Sequence, residues 1–203
     1  MNKFKLIETE KKERLINAAF NEFGELDFDK ASTNRIVKSA NVSRGLLYHY
    51  FENKQELYDS LFNFAFEETL ETLETNLNWD ETDVLKRITN IVLIKLEVTK
   101  QYPGMLKFVT KVTENMSYEE IRKLSEKHAP GLHEDVYTKN IDYSRFRDDL
   151  DIKHVMNIII WTIEKYSETR QKENTQKGIS FDLELAAKEI NAYIDVFRKT
   201  FYK

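Results

Sequence analysis

Apolar residues recur along this chain every three or four positions and hardly ever every second one, a pattern that predicts helices throughout. From about Glu8 to Leu26, Leu15, Ile16, Ala19, Phe20 and Phe23 share one face of a helix whose other face is charged. Ser32 is placed to cap a second helix running to about Ala40, which buries Ile36, Val37 and Ala40. Asn41 follows in a turn where a left-handed backbone is needed and Asn is the best tolerated residue after Gly. Ser43 then caps a third helix to about Phe51, with Leu47 and Phe51 turned inward. Asn53-Lys54-Gln55-Glu56 reads as a capping box that opens a long fourth helix towards Leu77. Two short helices joined by a tight turn, with a third close behind, have the sequence form of a DNA-binding helix-turn-helix.

Downstream the character changes. A helix from Asp80 carries Val84, Leu85, Ile88, Ile91, Val92 and Leu96 and ends before Pro103-Gly104. A short helix from about Met105 to Thr113 follows, and Ser117-Tyr118-Glu119-Glu120 is a second capping box, for a helix towards Lys127. Pro130-Gly131 breaks the chain again, and residues 131–150 show no clear period. A strongly apolar helix spans Asp151 to about Lys172, a polar loop covers 173–180, and Asp182 to Phe201 forms the last helix. In that last helix Leu183, Ala187, Ile190, Ile194, Phe197 and Phe201 make a seam with an average period of about 3.5 residues. Two readings are open: an ordinary internal core, or packing both internally and against a symmetry mate. The second would place Ile159, Ile163, Ile190, Ile194, Phe197 and Phe201 in a four-helix dimer interface.

Composition narrows the class. With five Gly and two Pro among 203 residues and hydrophobics at 41%, few tight turns are available to a sheet protein. There is no Cys, which excludes disulfides and thiol chemistry. No apolar stretch approaches the roughly 18 residues of a membrane span, and the first ten residues lack the apolar core of a secretory signal. A soluble, cytoplasmic protein is expected. Net charge is −4, yet from Ala31 to Phe51 there are three cations (Arg35, Lys38, Arg44) and no Asp or Glu. Up to Tyr58 the chain holds 10 Lys/Arg against 9 Asp/Glu, so the acidity lies in the remainder. Nucleic acid is therefore repelled by the bulk of the chain and admitted at one patch. Arg44 and Tyr48 lie four apart on one helix face, beside the inward face of Leu47 and Phe51.

The segment from about Ile16 to Leu61 resembles the TetR family of bacterial transcriptional regulators. The matching residues are Ala18-Ala19-Phe20, Phe23, Ala31-Ser32-Thr33, Ile36, Ala40, Val42-Ser43, Gly45, Leu47-Tyr48-His49-Tyr50-Phe51, Asn53-Lys54 and Glu56-Leu57. Asp27 and Asn41 stand where that family usually has Gly, and Leu46 is bulkier than the residue common there. The resemblance implies that Thr33, His49, Tyr50 and Lys54 hold phosphates, while Asn34, Arg44, Gly45, Leu46 and Tyr48 face base edges in the major groove. A Lys at a helix N-terminus opposes the helix dipole, and for Lys54 that cost hints at a partner anion.

The resulting expectation is an all-α fold. Residues 1–52 would form a three-helix, helix-turn-helix DNA-binding domain, and 53–203 a larger helical domain for ligand binding and dimerisation. By resemblance the chain is a regulator, most simply a repressor, that binds a palindromic double-stranded operator as a homodimer and is released by a small, largely apolar effector. The alternative is a regulator of the same fold that activates or answers to a protein partner. Candidate pocket residues are Phe64, Tyr102, Met105, Phe108, Met116, Tyr118, Trp161 and Tyr166, although the commoner role for any one of them is core. No cofactor is implied, and the spacing of His128, His133 and His154 matches no metal motif. Without a glycine-rich phosphate loop, a His-Glu-x-x-His or a nucleophile elbow, an enzyme is not expected.

Overall fold

The helical periods fold as α1 (Thr9–Glu25), α2 (Thr33–Ala40), α3 (Arg44–Tyr50), α4 (Lys54–Asn76), α5 (Val84–Gln101), α6 (Met105–Val112), α7 (Tyr118–His128), α8 (Leu132–Thr138), α9 (Ile152–Lys177) and α10 (Leu183–Phe201). The computed structural model describes residues 3–177 and 182–203, apart from the side chains of Lys5, Gln171 and Thr175. Among the described residues the one extended pairing is an isolated bridge between Phe146 and Tyr202. The chain divides into two compact units, Met1–Thr69 with Val98–Met116, and Leu70–Glu97 with Ser117–Lys203.

The first unit is built around α1. Phe20 and Phe23 touch the rings of Phe64, Tyr102, Phe108 and Tyr58 at centroid distances of 5.0–6.3 Å. This unit extends past residue 52, where the sequence suggested a boundary, and takes in α6 from far along the chain. Gly104 explains why. A Cβ there would lie 2.5 Å from Asn21 Oδ1, 2.8 Å from Asn21 N and 2.9 Å from Phe20 C, so only a hydrogen lets α6 lie on the backbone of α1.

Capping follows the sequence in part. Asn41 is left-handed, with φ 51°, and ends α2, whereas Asp27 is not among the positive-φ residues. Ser43 Oγ accepts from Leu46 N at 3.0 Å, and Ser117 and Glu120 form the expected reciprocal box. Ser32 makes no side-chain cap; its N–H donates instead to Glu22 Oε1 at 2.7 Å. Asn53 Oδ1 accepts from Glu56 N at 2.9 Å, but the return arm from Glu56 goes to Glu52 N at 2.7 Å.

In the second unit Val84, Leu85 and Ile88 of α5 pack with Val155, Met156 and Ile159 of α9 and Ile190, Ile194 and Phe197 of α10. Two buried polar residues organise what the apolar pattern left open. Arg87 is fully buried and its guanidinium donates to the carbonyls of Lys139 (2.6 Å), Val136 (3.3 Å), Trp79 (3.3 Å) and Glu81. It thereby satisfies the C-terminal carbonyls of α8, a helix inside the stretch 131–150 where the sequence showed no period. Asp83, also fully buried, accepts from Arg198 Nη1 (2.9 Å), Tyr202 Oη (2.8 Å) and Leu85 N (2.9 Å), fastening the start of α5 to the end of α10.

α9 runs five residues past its expected end. Residues 173–177 of the anticipated loop are helical, and its remaining positions lie outside the described residues. Ion pairs one turn apart support this polar extension: Lys165 with Glu168 at 2.8 Å, Glu168 with Lys172 at 2.5 Å, and Arg170 with Glu173 at 3.1 Å.

Candidate nucleic-acid interface and ligand cavity

The α2–α3 pair presents one face to solvent. Leu47 is buried and anchors α3, while Arg44, Gly45, Tyr48 and His49 are exposed and Leu46 half-exposed on the outside; Asn34 is exposed at the start of α2. Thr33 Oγ1 and Tyr48 Oη are 3.0 Å apart, which couples the first turn of α2 to α3. The Arg44 guanidinium lies 5.3 Å from the centroid of the Tyr48 ring, so the ring pre-orients it along the helix surface. The His49 and Tyr50 rings meet edge to face at 4.9 Å. At Gly45 a Cβ would meet nothing nearer than Ser43 Oγ at 3.9 Å. The fold itself does not require glycine there.

Three side chains depart from their expected roles. Lys54 Nζ donates to the carbonyls of Phe28 (2.7 Å), Ala31 (3.1 Å) and Asp29 (3.4 Å), and sits 4.4 Å from the centroid of the Phe28 ring. All three ammonium hydrogens are occupied, so the partner its position calls for lies within the chain, in the turn before α2. The Tyr50 hydroxyl donates to Leu6 O at 3.3 Å and tethers the N-terminal segment. Arg35, counted as a cation of the patch, forms a forked pair with Glu22 (2.6 and 2.9 Å) and also donates to Lys30 O at 2.7 Å. Burial works against the charge on Glu22, but Arg35 and the Ser32 N–H outweigh it and hold the carboxyl below its usual range. Lys38 and Arg44 are the cations of this segment that form no ion pair among the described residues. Glu22 lies outside residues 31–51, so the composition of that segment does not reveal the pair.

The second unit holds a cavity of about 240 Å³, lined on its apolar side by Leu70, Leu73, Ile91, Ile121, Leu132 and Val136. Lys95, Tyr118, Arg122, Glu126 and His133 are its polar lining. Tyr118 Oη donates to Glu164 Oε1 at 3.1 Å, and His133 Nε2 is 3.2 Å from the same oxygen. Burial, and then the Glu164 carboxylate, push the Tyr118 phenol well above its ordinary value. Of the eight pocket residues picked from sequence, Tyr118 alone lines this cavity. Phe64, Tyr102, Met105 and Phe108 are core of the first unit, Met116 is half-buried at the end of that unit, Trp161 is 62% exposed, and Tyr166 lines a shallow groove with Arg170 and Glu189. Size and aromaticity chose residues that fill space, whereas a cavity is bounded by whatever leaves space. Among the described residues no group of three or more His, Cys, Asp or Glu is placed to hold a metal ion, and no helix is long and apolar enough to cross a membrane.

Residues 15–61, which contain this helix-turn-helix, match the family described as "Bacterial regulatory proteins, tetR family". The chain belongs to the TetR family. Over 189 residues, covering 91% of each chain, it is 28% identical to the "Uncharacterized HTH-type transcriptional regulator YdgC" of Bacillus subtilis. It is 24% identical over 160 residues, 75% of this chain and 79% of the relative, to the "Fatty acid metabolism regulator protein" of the same species. Its fold is similar to that of the transcriptional regulator FadR from Bacillus subtilis, a structure in complex with stearoyl-CoA, with a TM-score of 0.55, 16% identity and coverage of 91% of this chain and 96% of that one. This TetR-family chain is thus a DNA-binding transcriptional regulator, and its relatives are named as regulators rather than enzymes.

The seam read as a dimer interface packs inside this TetR-family chain. Ile159, Ile190, Ile194 and Phe197 are buried in the core of the second unit, and Ile163 and Phe201 are half-buried against it. A period of 3.5 reports that a helix packs on another, without saying whether the partner belongs to the same chain. On the opposite faces Ile158 (45% exposed) and Trp161 project from α9, and Leu185, Tyr193 and Val196 (57% exposed) from α10.

Proposed function

We propose that this chain is a ligand-responsive repressor that binds a palindromic operator as a homodimer. The observation that carries the reading is the outer row of α3, where Arg44, Gly45 and Tyr48 are exposed on a helix anchored by buried Leu47. In the major groove this row and Leu46, together with Asn34, face base edges, with Arg44 suited to a bidentate contact with guanine and Leu46 to a thymine methyl. Thr33 and His49 hold phosphates, joined by Lys38, and Tyr50 does so when its hydroxyl proton turns from Leu6 O to a phosphate oxygen. Lys54 acts indirectly, by bracing the turn before α2.

The first unit reads DNA, and the second pairs and binds effector. A second copy covers Ile158, Trp161, Leu185, Tyr193 and Val196, and two recognition helices about 34–36 Å apart enter successive major grooves. The effector occupies the cavity bounded by α4, α5, α7 and α8. Its apolar lining, and the stearoyl-CoA bound to a similar fold, support a ligand bearing an acyl chain. Release needs only a ligand that prefers the state fitting DNA poorly; a preference of about 100-fold supplies about 2.7 kcal/mol of coupling.

Selection from a pool of random duplexes tests this reading. A palindrome whose half-sites are about one helical turn or a multiple apart is expected, protected by a dimer in footprinting. Enrichment of an asymmetric site occupied by one copy would refute the homodimer, and no enrichment at all would refute sequence-specific binding.

A further inference from the structure

Most charged groups around the cavity are already engaged. Glu164 receives the Tyr118 hydroxyl and faces His133, and Glu126 Oε1 accepts from Gly131 N at 2.8 Å. Lys95 and Arg122 are the exceptions. Lys95 lies one turn after Ile91 on α5, and both of these side chains line the cavity. The Lys95 side chain is exposed and open to the cavity space. Among the described residues it makes no hydrogen bond or ion pair. The surrounding protein lowers its pKa, with no carboxylate near enough to offset that. An anion entering the cavity finds this ammonium beside the apolar wall and can pair with it. An effector that brought only an alkyl chain would leave that pairing unused.

From the apolar wall and the unpaired ammonium at this one cavity we infer that the effector is a monoanionic amphiphile, a free acyl carboxylate whose chain lies along Leu70, Leu73 and Ile121 and whose carboxylate pairs with Lys95. The inference rests on the proposed use of this cavity as the effector site. It differs from a general acyl ligand in requiring the charge. A dry apolar cavity of about 150 Å³ admits a benzene-sized molecule, so about 240 Å³ suits a chain of modest length.

The test titrates the full chain with hexanoate, octanoate and decanoate and with their methyl esters, by calorimetry. The best acid should bind at least about tenfold more tightly than its ester. Lys95→Met should abolish that preference by weakening the acid, while Lys95→Arg keeps it. A helical circular-dichroism spectrum and a cooperative melt certify that Lys95→Met is folded. Equal affinity for acid and ester, no acid binding at millimolar concentration, or a preference that survives in Lys95→Met would each overturn the inference. Ala129→Trp, which fills the cavity, separates the two claims. If it blocks the ester, or a CoA thioester that Lys95→Met does not affect, the cavity remains the effector site and the carboxylate is wrong; if Ala129→Trp blocks nothing that binds, both fall.

Discussion

Gly45→Ala should stabilise the protein and weaken its hold on DNA. Gly45 is the second residue of α3 and is exposed. Its φ is not among the positive ones, and an added Cβ would find no atom closer than 3.9 Å. The methyl group therefore fits without strain. Glycine costs a helix about 0.5–1 kcal/mol relative to alanine, much of it through the greater freedom of the unfolded chain. Because the site is in the first turn, the gain should lie near the lower end of that range, a rise in melting temperature of about 1–2 °C for a chain of this size. If the outer row of α3 lies against base edges, the same methyl must displace DNA, and a loss of at least about tenfold in affinity is expected, about 1.4 kcal/mol. Urea melts report the first quantity, and fluorescence anisotropy on the selected operator at several salt concentrations the second. The salt slope should not change, since no phosphate contact is removed. A variant that binds as tightly as the wild type would take Gly45 out of the interface, and a variant that is less stable would contradict the open space beside it.

Other substitutions separate the remaining roles. Arg44→Ala should relax base preference at one operator position at a cost of about 1–3 kcal/mol, read by repeating the duplex selection; an unchanged profile would mean that Arg44 reads no base. Lys54→Ala should lower stability by about 1–2 kcal/mol in urea melts, through the lost carbonyl contacts, whereas Lys38→Ala should leave stability alone and lower the salt slope by about one. Asp83→Asn should cost about 1–2 kcal/mol by giving Arg198 and Tyr202 a neutral acceptor in place of the carboxylate. Burial raises the Asp83 pKa, but bonds from Arg198, Tyr202 and the backbone N–H of Lys86 overcome this and hold it below the usual carboxylate range. A lowered folded value means that this contribution is full above about pH 4 and is lost as pH falls through the folded pKa, so the wild type should lose more stability than Asp83→Asn between neutral and acidic pH.

What could be read from the sequence was set by how local the cause is. The helix-turn-helix depends on Asn41 tolerating a left-handed turn, Ser43 capping the next helix and Leu47 pointing inward, all within seven residues. Causes distant in sequence were hidden. Gly104 read as a helix breaker, and its close approach to Phe20 and Asn21 is what brings α6 into the first unit. The hydrogen bonds of Arg87 to the carbonyls of residues 136 and 139 organise a stretch that has no period of its own. Glu22 neutralises Arg35 from thirteen positions away. The unpaired state of Lys95 was equally illegible, because a lysine within an apolar period looks the same whether it reaches solvent or a cavity.

The inward packing of the α10 seam strengthens the argument for a dimer and moves it to other residues. Helix α10 buries Ile190, Ile194 and Phe197 on one side and still presents Leu185, Tyr193 and Val196 on the other, while α9 repeats the arrangement with Ile159 inside and Ile158 and Trp161 outside. Helices with apolar groups on two faces need two partners. Val196→Glu should therefore yield a folded monomer, whereas Ile194→Glu should unfold the chain, and sedimentation with circular dichroism distinguishes the outcomes. DNA binding gives this surface its consequence. Each head carries in its helix-turn-helix two cations without an ion pair among the described residues, Lys38 and Arg44, on a chain of net charge −4, so one head gains little from phosphates at physiological salt. Two heads joined in a dimer would multiply their affinities through effective concentration. The Val196→Glu monomer, with every DNA contact intact, should consequently bind the operator at least about a hundredfold more weakly; a monomer that binds like the wild type would show that a single head suffices.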